Sequence, residues 1–430
     1  MNKWIFVGII FIATAVGAPY GTGLLTEQEW GPAIDRLNAE QPYMQVQTTR
    51  YERHVFSSDL EGELLLINPE TGETAQVGFV GEVSHGIAGS SVELTPVTEG
   101  HELLQKLFPE ELPRLALQTW LWGTLEADLN VPAINVTDDD TGETLNAAEA
   151  YGWAEVSDGG DQFEVNLKWP GLSVRGEVLK IAFDDFEFSQ DAERVVGEVW
   201  SGEGHMVLGR VEIKEGDKPH VELHDLEITG ETDPQSGKKR LSSQSTVSLE
   251  SIKVDDRTFG PHKVELALEN VNVEAWDKFL TVIADVQSAN QQMDPSKSAE
   301  ELFRQKMMLA QQLSGAARSV AGSGIKVGMP VIKLETPEGS VDGHWQLSHP
   351  EVPEDERDAM PLVMQQMTGE LELTVPVALI EKEPSLIQQV RGLVQQGLIV
   401  QDGDRYKIKA SLSDMMLDIN GNQMSVPPLI

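Results

Sequence analysis

The 430-residue sequence contains no cysteine, and this absence narrows the classes of protein to which the chain can belong. Disulfides cannot brace the fold, thiolates cannot hold a metal ion, and an N-terminal cysteine cannot carry a lipid. Basic residues are scarce too, since 32 lysines and arginines stand against 70 aspartates and glutamates. The resulting formal charge of -38 repels nucleic acid, so no nucleic-acid partner is expected.

Long apolar runs are also missing, with one exception from Trp4 to Leu25. A run of this length can span a bilayer as a helix. It exceeds the usual apolar region of a secretory signal, which favours an uncleaved membrane anchor, and Lys3 favours an N-terminus in the cytoplasm. Cleavage after a small-residue triplet such as Ala13–Ala15 or Val16–Ala18 is the alternative, and a buried core helix is a third. An uncleaved anchor and a cleaved signal would both place the rest of the chain on the far side of the membrane.

Most of the remaining chain alternates between apolar and polar residues, which is typical of half-buried strands. Phe163, Val165, Leu167 and Trp169 form one such series, with polar residues between them. Asn, Pro and Gly recur between the series at the spacing of strand connections. We therefore predict a mainly β (α+β) fold, an extended antiparallel meander with interspersed amphipathic helices and one N-terminal transmembrane helix.

One sequence pattern recurs along this region: a predicted strand is followed by a short segment of apolar and acidic residues. It occupies Ile181–Phe188, Val221–Ile228 and Val264–Val273. We interpret it as a degenerate repeat.

Helical periodicity replaces the alternation after Glu274. Two amphipathic helices are predicted, one over 276–289 and one that begins after Asp294 and ends at Gly322–Gly324. We expect these two helices to pack on the sheet, or alternatively to form a lid or a dimerisation surface. Farther on we predict a short helix that ends near Gly369, a strand from Leu371 to Ile380 in which Pro376 indicates a break or an edge strand, and a helix from Pro384 to Gln396. The predicted regions are 1–26, 27–274, 275–324 and 325–430.

The best candidate for a metal site is the set His220, Glu222 and His224. On a strand, period two places these three side chains on one face, where two imidazoles and a carboxylate could bind zinc. The order is not His-Glu-x-x-His, and the alternation favours a solvent-facing strand without a metal. Neither a nucleophile elbow nor a phosphate-binding glycine motif has the required order and spacing. We therefore predict no catalytic residue and no cofactor.

Several short motifs resemble those of the YdgA-like family of bacterial envelope proteins, whose domain has no known function. The opening motif lies at 51–58, the second at 82–86 with Ile87 in place of a proline, and the closing motifs at 397–406 and 417–422. The residues that carry the match are Tyr51, Arg53, Phe56, Ser58, His85, Gly86, Tyr406, Asn420 and Gly421. The resemblance spans nearly the whole chain and implies a single-pass inner-membrane protein whose bulk is periplasmic, or a soluble periplasmic protein if the run is cleaved. The strand repeat is more weakly similar to AsmA-like envelope proteins, which form grooved sheets implicated in lipid traffic.

Three classes of function are compatible with these patterns and with the resemblance. The first is binding or transfer of an amphipathic envelope component in an apolar groove, with a lipid as ligand. The second is an envelope scaffold or interaction protein, with an envelope protein or a second copy of the chain as partner. The third, an envelope hydrolase, has no motif in its favour. A sheet that opens into an apolar trough would favour the first class.

Overall fold

The computed structural model describes residues 31, 34–35, 38, 43–54, 57–68, 72–85, 89–120, 122–139, 141–235, 237–291, 299–357, 365–382 and 384–426. The apolar run from Trp4 to Leu25 lies outside these ranges. Inside them, no helix combines the length and the apolar character needed to cross a membrane. The N-terminal anchor therefore stays a prediction.

The fold is mainly β with a large antiparallel sheet, as the alternating pattern predicts. Over the described ranges the strands are β1 Met44–Arg53, β2 Ser57–Ile67, β3 Thr74–His85, β4 Gly89–Pro96, β5 Arg114–Trp120, β6 Leu125–Val131, β7 Ile134–Thr137, β8 Thr144–Ala147, β9 Ala150–Ser157, β10 Gln162–Arg175, β11 Leu179–Val196, β12 Val199–Glu215, β13 Val221–Gln235, β14 Arg240–Val254, β15 Arg257–Phe259, β16 His262–Asn272, β17 Lys326–Thr336, β18 Gly339–Ser348, β19 Thr368–Pro376, β20 Val400–Asp402, β21 Arg405–Ser413, β22 Met416–Ile419 and β23 Asn422–Ser425. The helices are α1 Glu102–Leu107, α2 Val273–Gln291, α3 Ala299–Gly322, α4 Glu354–Arg357, α5 Val377–Glu381 and α6 Pro384–Gln395.

The chain divides into two compact units. The first comprises Met1–Glu193 and Gly204–Leu226, and the second comprises Arg194–Glu203 and Glu227–Ile430. The four regions predicted from the sequence follow composition and period rather than spatial contacts, and they stay a prediction.

In the first unit, β1 to β6 form a meander in which each strand pairs antiparallel with the next. The sheet continues from β6 through β9 and β10 to β11, while the β7–β8 hairpin pairs with the later part of β10. Apolar side chains of this unit form buried clusters. Leu145 and Leu60, which are 0% and 1% exposed, belong to two of them.

In the second unit, β14, β16, β17, β18, β19, β21, β22 and β23 pair in this order, each antiparallel to its neighbours. Helices α2 and α3 are inserted between the adjacent strands β16 and β17. Asn272, the last residue of β16, is the N-cap of α2, because its side-chain Oδ1 accepts a hydrogen bond from the Ala275 N–H. At the other end, Arg240 donates to the carbonyl of the fully buried Ser323. Both ends of the helical insertion are thus fixed to the sheet.

The predicted repeat has a common backbone feature. Three positions before its last apolar residue, each copy has a residue with positive φ: Asp185 at 55°, Asp225 at 51° and Asn270 at 59°. Asp and Asn enter this left-handed region more readily than other residues with a side chain. At Asn270 the pairing of β16 with β14 shifts register, as a bulge does. The recurring acidic or amide residue therefore marks a recurring irregularity in the strand.

Two predictions near the C-terminus have different outcomes. The short helix predicted to end near Gly369 follows the loop 349–358 and so lies mostly at 358–364, outside the described ranges, while Gly369 itself lies in β19 opposite Leu347 and Leu412. A Cβ at this glycine would lie 2.5 Å from Leu347 Cδ2, so glycine here permits close packing within the sheet and does not terminate a helix. At Pro376 the break is confirmed, since β19 ends there, and the edge-strand alternative is wrong, since β19 pairs with β18 and β21. The strand predicted to continue to Ile380 is also wrong, because Val377–Glu381 form α5.

Candidate functional site

Strand register in the second unit gathers apolar side chains on one side of the sheet. Residues directly opposite one another in antiparallel strands share a face. Ile332 on β17 lies opposite Val264 and Gly343, and Leu373 on β19 lies opposite Gly343 and Ile408. The same registers define the apolar face, which comprises Val247, Leu249, Val264, Leu266, Leu268, Val327, Met329, Ile332, Leu334, Val341, Trp345, Leu347, Leu371, Leu373, Ile408, Ala410 and Leu412.

The opposite side of these strands is charged. Glu372 and Lys409 lie opposite each other and form an ion pair of 3.0 Å. Arg405 and Asp342 form another, with Nη1 and Oδ2 3.1 Å apart. The sheet of the second unit is therefore amphipathic, with a water-facing side and an apolar side.

The apolar face is not closed into a core. None of its residues is fully buried, and Val247 and Leu266 are 41% and 44% exposed. The buried cluster of this unit is formed by Val199, Leu241, Val271 and Val273, with Trp276 and Leu280 of α2 packed against it. Of the apolar face, only Leu268 packs against this cluster. Because exposed apolar patches are costly in water, this partly open face is the candidate functional surface of the second unit.

A second feature, in the first unit, is the charge cluster formed by Lys180, Arg210, Glu212, His220, Glu222 and His224. The Glu212 carboxylate is only 5% exposed and lies on β12. It accepts hydrogen bonds from Lys180 Nζ, from Arg210 Nη2 at 2.9 Å and from His220 Nε2 at 3.0 Å. Arg210 also approaches Asp184 and Glu222, at 3.8 and 3.9 Å.

These partners set the ionisation of Glu212. Burial of the carboxylate acts to raise its pKa. The hydrogen bond and charge of Lys180, the charge of Arg210 and the hydrogen bond of His220 act in the other direction and outweigh burial, so the pKa of Glu212 lies below its ordinary value. The group is therefore an ionised, paired carboxylate at neutral pH and is unsuited to donate a proton.

The zinc candidate lies in this cluster. His220 Nε2 is 3.5 Å from Glu222 Oε1, and His224 Nε2 is 3.3 Å from Glu222 Oε2, so the three predicted side chains do meet. The solvent-facing interpretation is wrong for Glu222, whose side chain is only 14% exposed. No group of three or more His, Asp or Glu in the described ranges has the arrangement of a metal site. Lys180 and Arg210 occupy the neighbouring Glu212 carboxylate.

The residues of the family motifs occupy packing and turn positions. Tyr51 packs against the cluster around Leu60, and Ser58 is fully buried opposite Arg53. Phe56 and Gly86 lie outside the described ranges, and His85 is the last residue of β3. Tyr406 lies opposite Val375 on β19, while Asn420 and Gly421 form the turn between β22 and β23. These residues are divided between the two units.

Carboxylates face each other across four neighbouring strands of the first unit. Glu155 on β9 lies directly opposite Glu126 on one side and Glu164 on the other, and Glu164 lies opposite Asp191. Like charges at directly opposed positions destabilise a sheet. The opposed carboxylates in this row therefore lower the stability of the sheet.

We predict that Glu155→Lys raises the free energy of unfolding by about 1 kcal/mol, because it places a cation between two carboxylates. Glu155→Gln, which only removes a charge, is expected to give a smaller increase. Urea unfolding at low and at high salt measures both effects, and the gain should shrink at high salt. An equal effect of Lys and Gln would show that charge opposition in this row does not limit stability.

The fold and these surfaces define a mainly β protein whose second unit has an amphipathic sheet. The chain belongs to the family described as "Bacterial protein of unknown function (DUF945)", whose model matches residues 1–427. It is similar to Protein YdgA of Escherichia coli (strain K12), with 24% identity over 322 residues that cover 65% of this chain and 62% of YdgA. The resemblance to the YdgA-like family is thereby confirmed. No solved structure matches the chain.

Proposed function

We propose that this protein binds an amphipathic component of the bacterial envelope on the apolar face of its second unit. The ligand would be lipid-like, with an acyl or other apolar part in contact with the sheet. The observation that carries the proposal is that no side chain on this apolar face is fully buried, whereas the first unit has buried clusters that contain Leu60 and Leu145. A sheet that served only as a scaffold would gain stability by covering these side chains.

The width of the apolar face suits such a ligand. Six strands, β14, β16, β17, β18, β19 and β21, contribute to it, and neighbouring strands lie about 4.8 Å apart, so the face is roughly 24 Å wide. The face is continuous at Gly343, because Leu373 Cδ1 lies 2.9 Å from the position that a Cβ would take on this glycine. A face of this width accommodates an extended apolar chain.

The proposed location is the periplasmic side of the inner membrane. The run from Trp4 to Leu25 would act as a single-pass anchor, as its length and the family resemblance indicate. The absence of cysteine leaves stability in that compartment to burial alone.

Photo-crosslinking in cells tests the ligand proposal on the full chain. A photo-reactive p-benzoylphenylalanine is placed at Leu373 or, as the matched control, at Thr374. These residues are neighbours on β19 but lie on opposite faces of the sheet. We expect irradiation at position 373 to give a covalent adduct with the mass of a lipid, detected by mass spectrometry of the digested protein, and position 374 to give none.

The other outcomes separate the alternatives. A protein adduct at position 373 without a lipid adduct would favour the scaffold function, and an adduct containing two copies of the chain would identify a homodimer. Equal lipid adducts at both positions would indicate non-specific contact and contradict the proposal. Alkaline carbonate extraction tests the anchor separately, because an anchored chain stays in the membrane pellet.

A further inference from the structure

One polar side chain interrupts the apolar face of the second unit. His262 on β16 lies directly opposite Leu249 on β14 and Leu334 on β17, so its side chain is on the same side of the sheet as theirs. Its row continues to Val341 on β18. The neighbouring row consists of Val247, Val264, Ile332, Gly343, Leu373 and Ile408. Among these residues His262 alone has a side chain that can form hydrogen bonds.

The imidazole of His262 has no hydrogen-bond partner within the part of the chain that the structure describes. Its Nδ1 atom is inaccessible to water and unpaired, whereas Nε2, which is also unpaired, reaches solvent. An unpaired buried nitrogen costs free energy, and a leucine at this position would avoid that cost. Packing alone therefore does not account for a histidine here.

Nε2 is the end of the ring that can bind a ligand. A neutral imidazole carries one proton, and an unpaired N–H is tolerated less well in a protein interior than an unpaired acceptor. The proton of the neutral ring therefore belongs on Nε2, and the protonated ring has an N–H there as well. In both forms the apolar face presents one N–H donor, and a ligand that pairs with it must supply an acceptor oxygen.

We infer that His262 recognises the polar part of the ligand on the apolar face, by donating from Nε2 to a phosphate, carboxylate or ester oxygen of a lipid. This inference rests on the proposed function and adds the orientation of the ligand. The polar part would lie at β16, and the apolar part would extend over β17, β18 and β19 to β21. At about 4.8 Å per strand, this path is roughly 19 Å long.

Photo-crosslinking from position 373 tests the inference on the full chain in cells. Leu373 on β19 is three strands away from β16, so p-benzoylphenylalanine there would contact the apolar part of the ligand and leave His262 intact. The lipid adduct is quantified in the wild-type background and with His262→Leu, His262→Gln or His344→Leu. His344 on β18 is the control, because it lies opposite Glu372 on the charged side of the sheet.

We expect His262→Leu to reduce the lipid adduct about tenfold, as the loss of one strong hydrogen bond would. His262→Gln, whose amide also donates, should reduce it less, and His344→Leu should leave it unchanged. An adduct that contains phosphorus would assign the acceptor to a phosphate, and an adduct without phosphorus would assign it to a carboxylate or an ester. Both support the inference.

Urea unfolding of the full chain separates recognition from packing. His262→Leu removes an unpaired nitrogen, so its unfolding midpoint should equal or exceed that of the wild type. A lower midpoint would assign His262 a packing role and overturn the inference. Equal adducts in the wild type and His262→Leu, or equal losses from His262→Leu and His344→Leu, would overturn it while the proposed function stands. The absence of any lipid adduct at position 373 in the wild-type background would overturn both.

Discussion

Arg210→Met is expected to lower the free energy of unfolding by about 2 kcal/mol at neutral pH, the contribution of a hydrogen bond to a charged group. Arg210 is the cation that the carboxylates of Glu212, Glu222 and Asp184 share, with its guanidinium nitrogens 2.9, 3.9 and 3.8 Å from them. Its removal leaves Glu212, which is nearly inaccessible to water, with Lys180 and His220 as its remaining partners. A buried carboxylate that loses a charged partner retains its full desolvation cost.

The effect should depend on pH in a defined direction. Because the folded state lowers the pKa of Glu212, its ion pairs stabilise the protein above the pKa of the unfolded chain, and this stability is lost as the pH falls through the folded pKa. The difference between wild type and Arg210→Met should therefore be greatest near neutral pH and should narrow as the pH falls below about 4.3, the ordinary pKa of glutamate. Urea unfolding at a series of pH values measures it.

Arg114→Met is the matched control. Arg114 is also a strand arginine of the first unit, but its pair with Glu93 has a distance of 3.7 Å and both side chains are more than half exposed. Exposed pairs of this kind contribute little, so we expect a change within about 0.5 kcal/mol and no pH dependence. If Arg210→Met behaved like this control, the charge cluster would have no structural role.

The second large effect is expected at Asn420, where Asn420→Ala should lower the free energy of unfolding by about 3 kcal/mol. Asn420 has a φ of 50° in the two-residue turn between β22 and β23, a conformation that alanine adopts only with strain. Its side-chain Oδ1 accepts from the Lys409 N–H at 3.0 Å, and its Nδ2 donates to the carbonyls of Leu398 and Lys407 at 2.9 and 3.2 Å. The side chain thus joins the turn to β21 and to the segment after α6.

Asn420→Gly separates the two contributions. Glycine adopts the left-handed conformation without strain but supplies no side-chain hydrogen bonds, so its loss should be about 1 kcal/mol smaller than that of alanine. Thermal or urea unfolding of both variants gives the comparison. Equal losses for glycine and alanine would mean that the hydrogen bonds alone make Asn420 important, and negligible losses for both would contradict the expected role.

The same turn illustrates what the sequence could predict. Asn420-Gly421 between alternating residues indicates a hairpin, because both residues tolerate positive φ, and the turn is where this local chemistry places it. Gly397 after α6 has a φ of 74°, as expected for a residue that follows a helix C-terminus. Both features depend on neighbouring residues only. The hydrogen bonds of Asn420 to Leu398 and Lys409 depend on tertiary pairing, which no local pattern reports.

The charge cluster and the apolar face were less accessible to prediction, for two different physical reasons. His220 and Glu222 stood out because they share one strand, but the central group, Glu212, lies on another strand and is recognisable only once the sheet has formed. Period two reports which side chains share a face, but it carries no information on whether a second layer covers that face.

The insertion of α2 and α3 between two paired strands has a consequence for how the chain folds. Lys326 at the start of β17 pairs with Glu269 on β16, 57 positions earlier. Closing a loop of this length in place of a tight turn costs only roughly 2 kcal/mol in chain entropy, since each doubling of length adds about 0.6 kcal/mol. The two helices are local structures, and once they pack against each other they shorten the effective loop. We therefore expect α2 and α3 to fold and pack together before β16 pairs with β17. The sheet of the second unit would then be completed after the helical pair has formed.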